Sequence, residues 1–433
     1  MACLSISTAW LTCLTIAMTI STVVARDASA APIAISGIVF HDHDENGRLD
    51  AGEHALPQVV LSDGMQVIRT DRWGRYRIET DDSRVLFVSL PGEYRSVGEF
   101  FENLRDHHNG DIVDFPLIEH GCGEELSFLF FTDSHVTDRE KFNAVAGMKA
   151  AVAHMNEQKG IELILSGGDL IMDALRVCEP ECREQYELYR ELTAELNRPL
   201  FNTVGNHELY GVYLEGAGDD PCIVEEDDVL YGPGLYHEYF GPDHYSFNWG
   251  PYHFMVLNTI SLTRGINAQG DTVRVYYGNV SADQVAWMGE DLAHVPPGTP
   301  IILISHIPFV TAVHTLEGYG DYQTINYRLE DSEARSYTHV VSNASQVINE
   351  VLAGHRFILA LAGHHHHYEV VRWEDHQHNA RFVLGGSICG QWWQGDRRIA
   401  GSTWPEGYLR VWLRDGEVSD LQYISYGWKG YKE

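Results

Sequence analysis

Five apolar runs, each followed by residue types that bind metals, constrain this chain of 433 residues more than any other feature. Continuous apolar runs of this length predict strands that are buried on both faces of a sheet. Polar residues directly after such strands predict loops that meet at one edge of the sheet, where side chains converge on a ligand. The runs and their polar residues are LSFLFF before Asp133 and His135, IELILS before Asp169, RPLFNTV before Asn206, His207 and Glu208, PIILIS before His306, and RFILALA before His364, His365, His366 and His367.

Helical segments lie between several of these predicted strands. Strands that alternate with helices predict an α/β fold. In the third segment, Ser281 and Gln284 make a capping-box signature, which predicts where that helix begins. The four segments are KFNAVAGMKAAVAHMNEQ, REQYELYRELTAELN, SADQVAWMGEDLAHV and ASQVINEVLAG.

The polar motifs occur in the order D-x-H, G-D, G-N-H-E, H and G-H-x-H. Each motif alone is common, and a single histidine is more often an ordinary core or surface side chain. The complete order resembles the calcineurin-like metallophosphoesterases from about Leu126 to Val371. This resemblance implies a β-sandwich core flanked by helices within residues 124–385, and the activity of a metal-dependent phosphoric ester hydrolase.

The resemblance also implies a centre for two metal ions that share one aspartate. The expected ligands are Asp133, His135, Asp169 and His366 for the first ion, and Asp169, Asn206, His306 and His364 for the second. His207 would lie over the scissile phosphate and help to protonate the leaving group. Glu208 would orient the His207 imidazole.

The ligand types favour two Mn, Fe or Zn ions over Mg or Ca, because histidine and carboxylate together suit borderline ions. Two divalent ions contribute about +4 and two aspartates remove about 2, so the centre keeps a positive charge that can hold phosphate. We expect in-line attack on a phosphomonoester or phosphodiester by a hydroxide that bridges the ions. Met172 stands where purple acid phosphatases carry a metal-bound tyrosine, which argues against a ferric tyrosinate centre.

Four consecutive histidines, His364 to His367, allow two interpretations. In a tag-like tract, any of the four would bind metal. In an extended segment, successive side chains point to opposite sides, so His364 and His366 share one side while His365 and His367 share the other. The G-H-x-H motif then selects His364 and His366 as the ligands.

A loop near the N-terminus, HDHDENGRLDAGE, has the ligand spacing of an EF-hand calcium loop. An EF-hand needs a helix on each side, whereas both flanking segments predict strands. We interpret the loop as a turn that is rigidified by a structural calcium ion or by hydrogen bonds, in preference to a regulatory calcium sensor. Residues 33–118 are expected to form a small all-β sandwich, which resembles the Cna-B-like or SdrD-like modules of secreted proteins. The candidate calcium ligands are Asp42, Asp44, Asn46, Asp50 and Glu53.

The first thirty residues predict a targeting segment. Residues 2–25 carry no charge, and AWLTCLTIAMTI is followed by small residues at Ala28, Ser29 and Ala30. We expect residues 1–30 to be a cleaved signal peptide and the mature protein to be periplasmic or extracellular, without stable membrane insertion. A retained N-terminal anchor is the alternative. Export also allows one disulfide among three loop cysteines, Cys178, Cys182 and Cys222.

The net charge of −32 argues against binding to a nucleic-acid backbone or an anionic membrane. The expected partner, implied by the metallophosphoesterase resemblance, is a small phosphate-ester substrate, and the oligomeric state stays open. A second class of function is a cell-surface or glycan-binding protein whose phosphoesterase core is inactive. The complete ligand set favours the enzyme.

Residues 386–433 predict further strands, which either form a C-terminal β extension or complete the catalytic sheet. Within them, CGQWW is either an aromatic wall of the substrate cleft or a hydrophobic plug under the sheet.

Overall fold

The computed structural model describes residues 32–80, 85–121, 123, 125–140, 143–214, 222–267, 269–312, 339–376, 379–389 and 405–428, with the backbone of 328–329, 398–399 and 402–403. The predicted signal peptide and all of CGQWW except Cys389 lie outside these residues. In the described part of the chain, no helix is long and apolar enough to cross a membrane.

The N-terminal module is built from short strands. They are β1 (Ile33–His41), β2 (His54–Ala55), β3 (Val60–Ser62), β4 (Val67–Arg69), β5 (Arg75–Thr80), β6 (Val85–Ser89), β7 (Tyr94–Ser96), β8 (Phe101–Asn103) and β9 (Phe115–Glu119). One sheet has the order β2-β1-β9-β7 with β5 also on β1, and a second has the order β4-β3-β6-β8. The acidic loop connects β1 to β2, so the prediction of strands on both sides of it is confirmed.

Two large sheets form the catalytic domain. Their strands and the smaller ones around them are β10 (Leu126–Phe131), β11 (Leu163–Ser166), β12 (Leu200–Phe201), β13 (Tyr245–Trp249), β14 (Tyr252–Val256), β15 (Ile260–Ile266), β16 (Thr272–Gly278), β17 (Pro300–Ile304), β18 (Arg328–Leu329), β19 (Arg356–Ala362), β20 (Glu369–Glu374), β21 (Asn379–Leu384), β22 (Arg398–Ile399), β23 (Ser402–Thr403), β24 (Tyr408–Arg414) and β25 (Glu417–Ile424). The first sheet has the order β12-β11-β10-β24-β25 and the second β13-β14-β17-β19-β21-β20. Strands β15, β16 and β18 form a third sheet, and β22 pairs with β23.

The C-terminal strands belong to the first large sheet. β24 pairs antiparallel with β10, and β25 pairs antiparallel with β24. Of the two alternatives for residues 386–433, a β extension or completion of the catalytic sheet, these pairings favour the second for β24 and β25.

In the residues that the structure describes, the helices are few and short. They are α1 (Ala144–Asn156), α2 (Glu179–Thr193), α3 (Gly234–Phe240), α4 (Ala282–Leu292) and α5 (Ala344–Gln346), which continues as a wider turn over Val347–Val351. Single 3₁₀ turns cover Leu104–Asp106 and Asn206–Glu208. The four predicted helical segments are confirmed, whereas α3 was not predicted. The Ser281 hydroxyl accepts a hydrogen bond from the backbone N–H of Gln284, 3.2 Å, as its capping signature predicted. The Gln284 side chain instead donates to the carbonyl of Asn258, 2.8 Å, so the reciprocal half of the capping box is absent.

The N-terminal module packs directly on the catalytic domain. The backbone N–H of Asn248 on β13 donates to the carbonyl of Leu90, 2.8 Å, directly after β6 of the module. Trp287 is fully buried on α4, and its indole N–H donates to the Ser62 hydroxyl, 3.1 Å. Buried apolar residues of both parts form one continuous core. The module therefore shares its core with the catalytic domain and is not a separately tethered unit.

Candidate metal centre

The predicted ligands lie beyond the carboxyl ends of five strands from both large sheets. Strands β10, β11 and β12 are parallel neighbours in the first sheet, and β17 and β19 are parallel neighbours in the second. Six of the seven ligands are buried, and His364 is half-buried. In order along the chain they are Asp133 and His135 after β10, Asp169 after β11, Asn206 after β12, His306 after β17, and His364 and His366 after β19.

The first group of ligands consists of Asp133, His135, Asp169 and His366, whose donor atoms all lie within 4.8 Å of one another. The Nε2 atoms of His135 and His366 are 3.2 Å apart. His366 Nε2 is also 3.2 Å from Asp133 Oδ1, and His135 Nε2 is 3.7 Å from Asp169 Oδ2. Two imidazoles and two carboxylates therefore face one small volume.

The second group shares Asp169 with the first. Within this group, the Nε2 atom of His306 lies 3.2 Å from Asp169 Oδ2 and 3.1 Å from Asn206 Oδ1. His364 Nδ1 is 3.2 Å from the same nitrogen. The structure thus brings all seven predicted ligands together in two groups joined by one carboxylate.

These donor atoms fit divalent cations. Lone pairs and carboxylate oxygens that converge at such distances repel one another, and a bound cation removes that repulsion. The mixture of imidazole, carboxylate and amide oxygen suits borderline ions such as Mn, Fe or Zn.

Backbone conformation distinguishes the centre from most of the chain. Nine non-glycine residues in the described part have positive φ, and five of them are predicted ligands. Such conformations are uncommon and persist where the surrounding structure fixes them, which is typical of functional sites. The five, with their φ angles, are Asp133 (54°), His135 (43°), Asp169 (51°), His364 (72°) and His366 (56°).

Two glycines allow the ligand loops to approach one another. A Cβ atom on Gly363 would lie 2.0 Å from the Thr132 hydroxyl oxygen and 2.7 Å from Asp133 Oδ2. A Cβ atom on Gly205 would lie 2.2 Å from the backbone nitrogen of Asp169. The glycines that precede His364 and Asn206 in their motifs are therefore required by close packing of the centre.

Hydrogen bonds from surrounding groups fix the orientation of several ligands. His306 Nδ1–H donates to the carbonyl of Gly167, 2.8 Å, which leaves the lone pair of Nε2 directed at the other ligands. The Asp133 carboxylate accepts from the Thr132 hydroxyl, 2.8 Å, and from the backbone N–H of His364, 3.1 Å. Such contacts fix ring tautomers and carboxylate positions before a metal binds.

The Glu208 carboxylate has a different role from the one expected. It is fully buried and accepts hydrogen bonds from four backbone N–H groups at 2.6–3.1 Å. No contact between this carboxylate and the His207 ring occurs in the described structure, so the hypothesis that Glu208 orients the imidazole does not match these bonds. Burial and the nearby Asp169 carboxylate raise the pKa of Glu208 to about 8, and the backbone donors oppose that shift. The four donors are Gly205, Asp169, Leu170 and Ile171.

The His207 ring is oriented by Met172 instead. His207 Nδ1 hydrogen-bonds to the backbone carbonyl of Met172. His207 Nε2 is 3.9 Å from Asp169 Oδ2, and the side chain is 12% exposed, so the ring lies at the open side of the centre. Met172 acts here through its backbone carbonyl, a group that every residue carries, so the sequence does not indicate this contact.

The four consecutive histidines divide as predicted, but for another reason. His364 and His366 belong to the two ligand groups. His365 Nε2 hydrogen-bonds to the carbonyl of His339, 2.8 Å, and His367 Nε2 is 3.6 Å from Glu369 Oε2. Strand β19 ends before them, and the positive φ of both ligands shows that the segment is not extended. The strand alternation used to separate the two pairs is therefore wrong, and a turn separates them.

Burial and neighbouring charges shift the pKa values of several predicted ligands. Burial opposes ionisation of Asp169, but the neighbouring His306 and His207 hold its pKa well below the usual range. Burial likewise opposes protonation of His306, but the Asp169 carboxylate raises its pKa to about 9. Burial, reinforced by adjacent imidazoles, lowers the pKa of His135 and His364 well below the usual range. These two rings are therefore neutral, as metal ligands must be.

Family comparison agrees with this geometry. Residues 126–368 match the family described as Calcineurin-like phosphoesterase. The chain belongs to this family. Residues 43–119 match the N-terminal domain described for Calcineurin-like phosphoesterases, and the Cna-B-like resemblance of this module is not confirmed. The protein is accordingly a metal-dependent phosphoric ester hydrolase with a mixed α/β fold, and the prediction of its family and enzyme class is confirmed.

Solved structures with similar folds include phosphatases. A dimetal phosphatase from Danio rerio is 14% identical, with a TM-score of 0.42, over 70% of this chain and 99% of that chain. A purple acid phosphatase from yellow lupin (Lupinus luteus) seeds is 12% identical, with a TM-score of 0.42, over 92% of this chain and 70% of that chain. No curated protein matches this chain.

Several contacts around the centre were not anticipated from the phosphoesterase motifs. The Ser387 hydroxyl donates to the carbonyl of Asp133, 2.8 Å, and His339 Nδ1 lies 3.3 Å from His364 Nε2. Neither residue belongs to a motif, so no sequence signal identified it. Thr132, whose hydroxyl donates to the Asp133 carboxylate, directly precedes that ligand in the sequence, and this adjacency is the one sequence signal for such a contact. Among the loop cysteines, Cys178 and Cys222 form the disulfide and Cys182 is a buried free thiol.

Proposed function

We propose that this phosphoesterase is exported and hydrolyses small phosphomonoesters or phosphodiesters with two divalent ions of the Mn, Fe or Zn class. The observation that carries the proposal is the sharing of Asp169 between two groups of buried ligands. A shared carboxylate supports two ions held side by side, since each group contributes four donor side chains and Asp169 belongs to both.

Asp133, His135, Asp169 and His366 would hold one ion, and Asp169, Asn206, His306 and His364 the other. When bound, such ions supply positive charge that holds and polarises a phosphate ester and lowers the pKa of a nearby water. The acidic surface, with a net charge of −32, confines phosphate attraction to this centre and argues against nucleic-acid backbone as a partner.

The chain itself supplies proton transfer through His207. Because the Met172 carbonyl holds Nδ1, a proton that His207 gives to a leaving oxygen must come from Nε2. The ring lies at the open side of the centre, within 3.9 Å of the shared carboxylate, where an approaching ester would meet it. General acid catalysis of this kind typically contributes about 10²–10⁴-fold to the rate.

Export is proposed from the first thirty residues, whose uncharged apolar run and small-residue cleavage pattern are typical of a signal peptide. The disulfide between Cys178 and Cys222 is consistent with an oxidising compartment. Expression of the full chain, followed by N-terminal sequencing of the protein outside the cytoplasm, tests this part of the proposal. A product that begins after Ala30 supports export, whereas an intact N-terminus held in the membrane fraction supports the anchor.

The catalytic part is tested by metal analysis together with hydrolysis of a chromogenic phosphomonoester and a chromogenic phosphodiester. We expect two divalent ions per chain in this centre and hydrolysis that is lost with chelator and restored by Mn, Fe or Zn. The preferred ester identifies the substrate class. Metal binding without hydrolysis of either ester would favour the cell-surface or glycan-binding alternative.

A further inference from the structure

Three histidines of the N-terminal module form a second cluster of metal-binding side chains. The ring centroids of His41 and His43 are 3.9 Å apart, those of His41 and His54 are 5.1 Å apart, and those of His43 and His54 are 5.9 Å apart. One ring nitrogen from each lies within 4.8 Å of the other two. This separation is short enough for one ion to contact all three rings.

The strands of the module set this arrangement in advance. His41 and His54 are direct partners in the antiparallel pairing of β1 and β2, and His41 is also paired with Leu117 on β9. Directly opposed residues of an antiparallel pair have neighbouring Cβ atoms, so these two rings lie side by side. His43 follows two positions after His41, and its ring closes the cluster.

One ring nitrogen of the buried histidine in this cluster has no hydrogen-bond partner among the described residues. His41 is only 5% exposed, and its Nδ1 atom has no hydrogen-bond partner among the described residues. A buried polar atom without a partner is costly, and most such atoms in proteins are satisfied. His43 and His54 are exposed, so an ion can reach the cluster from solvent.

The neighbouring carboxylates of Asp42, Asp44 and Glu53 form a separate group of possible oxygen ligands, and the loop's own backbone already bonds to them. Asp42 Oδ2 accepts from the N–H of Gly47, 2.7 Å, and Glu53 Oε1 accepts from the N–H of His43, 2.8 Å. The loop thus presents two chemically different sets of ligands. The carboxylates stabilise the turn, and the imidazoles lie together at the point where the loop begins and ends.

We propose that His41, His43 and His54 form a third metal site, selective for Zn²⁺ or a similar divalent transition ion and independent of the catalytic centre. Three imidazoles with a water molecule complete a four-coordinate site, and imidazole nitrogen favours Zn²⁺ over Ca²⁺. Because His41 and His54 flank the acidic loop, an ion held by both closes residues 42–53 into a ring. Metal binding is then coupled to the order of the loop.

The test compares the full-length protein with the double variant His43→Gln/His54→Gln. Both side chains are exposed, so the substitutions leave the core intact. The matched control is His108→Gln, an exposed histidine of the same module whose side chain is 87% exposed. Each protein is equilibrated with Zn²⁺, freed of unbound metal by gel filtration, and analysed for zinc and for phosphoester hydrolysis.

We expect wild type and His108→Gln to retain one more zinc ion per chain than the double variant, with hydrolysis equal in all three. Zn²⁺ should also raise the melting temperature of wild type and control more than that of the double variant, and excess Ca²⁺ should not release the additional ion. Equal zinc content in wild type and double variant would overturn the proposal. So would release of the additional zinc by Ca²⁺, since that would assign it to the carboxylates.

Discussion

The catalytic centre and the acidic loop between β1 and β2 both carry metal-binding residue types, but the polar atoms of these residues have different partners in the two regions. The loop's ligands lie within residues 42–53, are largely exposed, and bond to its own backbone, as in the contacts of Asn46 N–H with Asp42 and Asp44 at 3.3 Å. The centre's ligands come from five distant segments, and most are buried and face one another.

This difference separates a self-contained turn from a site that requires an ion. A local motif can fold without metal because backbone amides are always at hand to satisfy its carboxylates. In the centre, backbone N–H groups reach some carboxylate oxygens of Asp133 and Asp169, but other ligand atoms face one another, and isolating their charges from water is costly. Metal removal should therefore disturb the ligands of the catalytic centre more than the hydrogen-bonded carboxylates of the loop.

The largest expected effect is that of Asp169→Asn, which removes the charge of the shared carboxylate at almost constant volume. Both ions should bind more weakly, and hydrolysis should fall by more than the roughly 10²–10⁴-fold typical of a single proton-transfer group. Metal content and turnover of a chromogenic ester are the measurements. The same substitution in the loop, Asp44→Asn, is the control and should change neither. An Asp169→Asn protein that retains both ions would remove the distinction between the two regions.

The next effect concerns the four consecutive histidines. Alanine at His364 or His366 should cause severe loss of bound metal and activity, whereas alanine at His365 or His367 should have mild effects. The contacts of the second pair with the His339 carbonyl and Glu369 lie outside the ligand groups. Metal content of the four purified variants is the test. A uniform small loss would support the tag-like tract.

His207→Ala should reduce the rate by about 10²–10⁴-fold while both ions remain bound. The loss should shrink for an ester with a very good leaving group, because little protonation is then needed. Asn206→Ala provides the contrast, since it should weaken metal binding at the second group. Rates on a series of leaving groups, with metal content, distinguish the two. An equal loss at His207→Ala on every leaving group would assign the ring to phosphate binding.

The metal-free protein should show a pH-dependent stability that the metal-loaded protein lacks. Burial opposes protonation of His306, but Asp169 raises its folded-state pKa to about 9, above an ordinary value of 6.5. Its stabilising contribution is therefore fully present below pH 6.5 and is lost as the pH rises through about 9. A bound ion replaces the proton, so the loss should vanish. Melting temperatures with and without chelator across this range test the sign, and a parallel decline in both forms would contradict it.

The smallest effect is expected in the loop. Asp42→Ala with Asp44→Ala removes side-chain acceptors of backbone N–H groups, each worth roughly 0.5–1.5 kcal/mol. Thermal stability should fall, in a calcium-dependent way if an ion binds there, and turnover at a permissive temperature should stay near wild type. Melting curves and rates with and without Ca²⁺ are the measurements. Activity that Ca²⁺ switches on through these two aspartates would make the loop a sensor.

The ligand set could be predicted because the order of the motifs resembles the calcineurin-like metallophosphoesterases and each motif follows a mainly apolar run. Asp133, Asp169 and His306 stand directly beyond buried runs, and parallel strands bring such positions to one edge. Sequence spacing also identified the acidic loop and the serine that caps α4. These features are local, since they depend on which residues lie within a few positions of one another.

Tertiary structure decided what distant backbone groups do. The Glu208 carboxylate holds the Asp169 loop by accepting hydrogen bonds from that loop's backbone N–H groups, and the Met172 carbonyl orients the His207 ring. Every residue carries these backbone groups, so the residue types did not indicate either contact. The C-terminal strand β24 could be assigned to the catalytic sheet only from its pairing with β10. The turn that separates His364 and His366 from their neighbours likewise arises from left-handed backbone conformations, which contacts between distant loops stabilise. The sequence by itself identified the candidate ligands, because residue chemistry and motif spacing are local, whereas packing between segments far apart in the chain determined how these side chains are held.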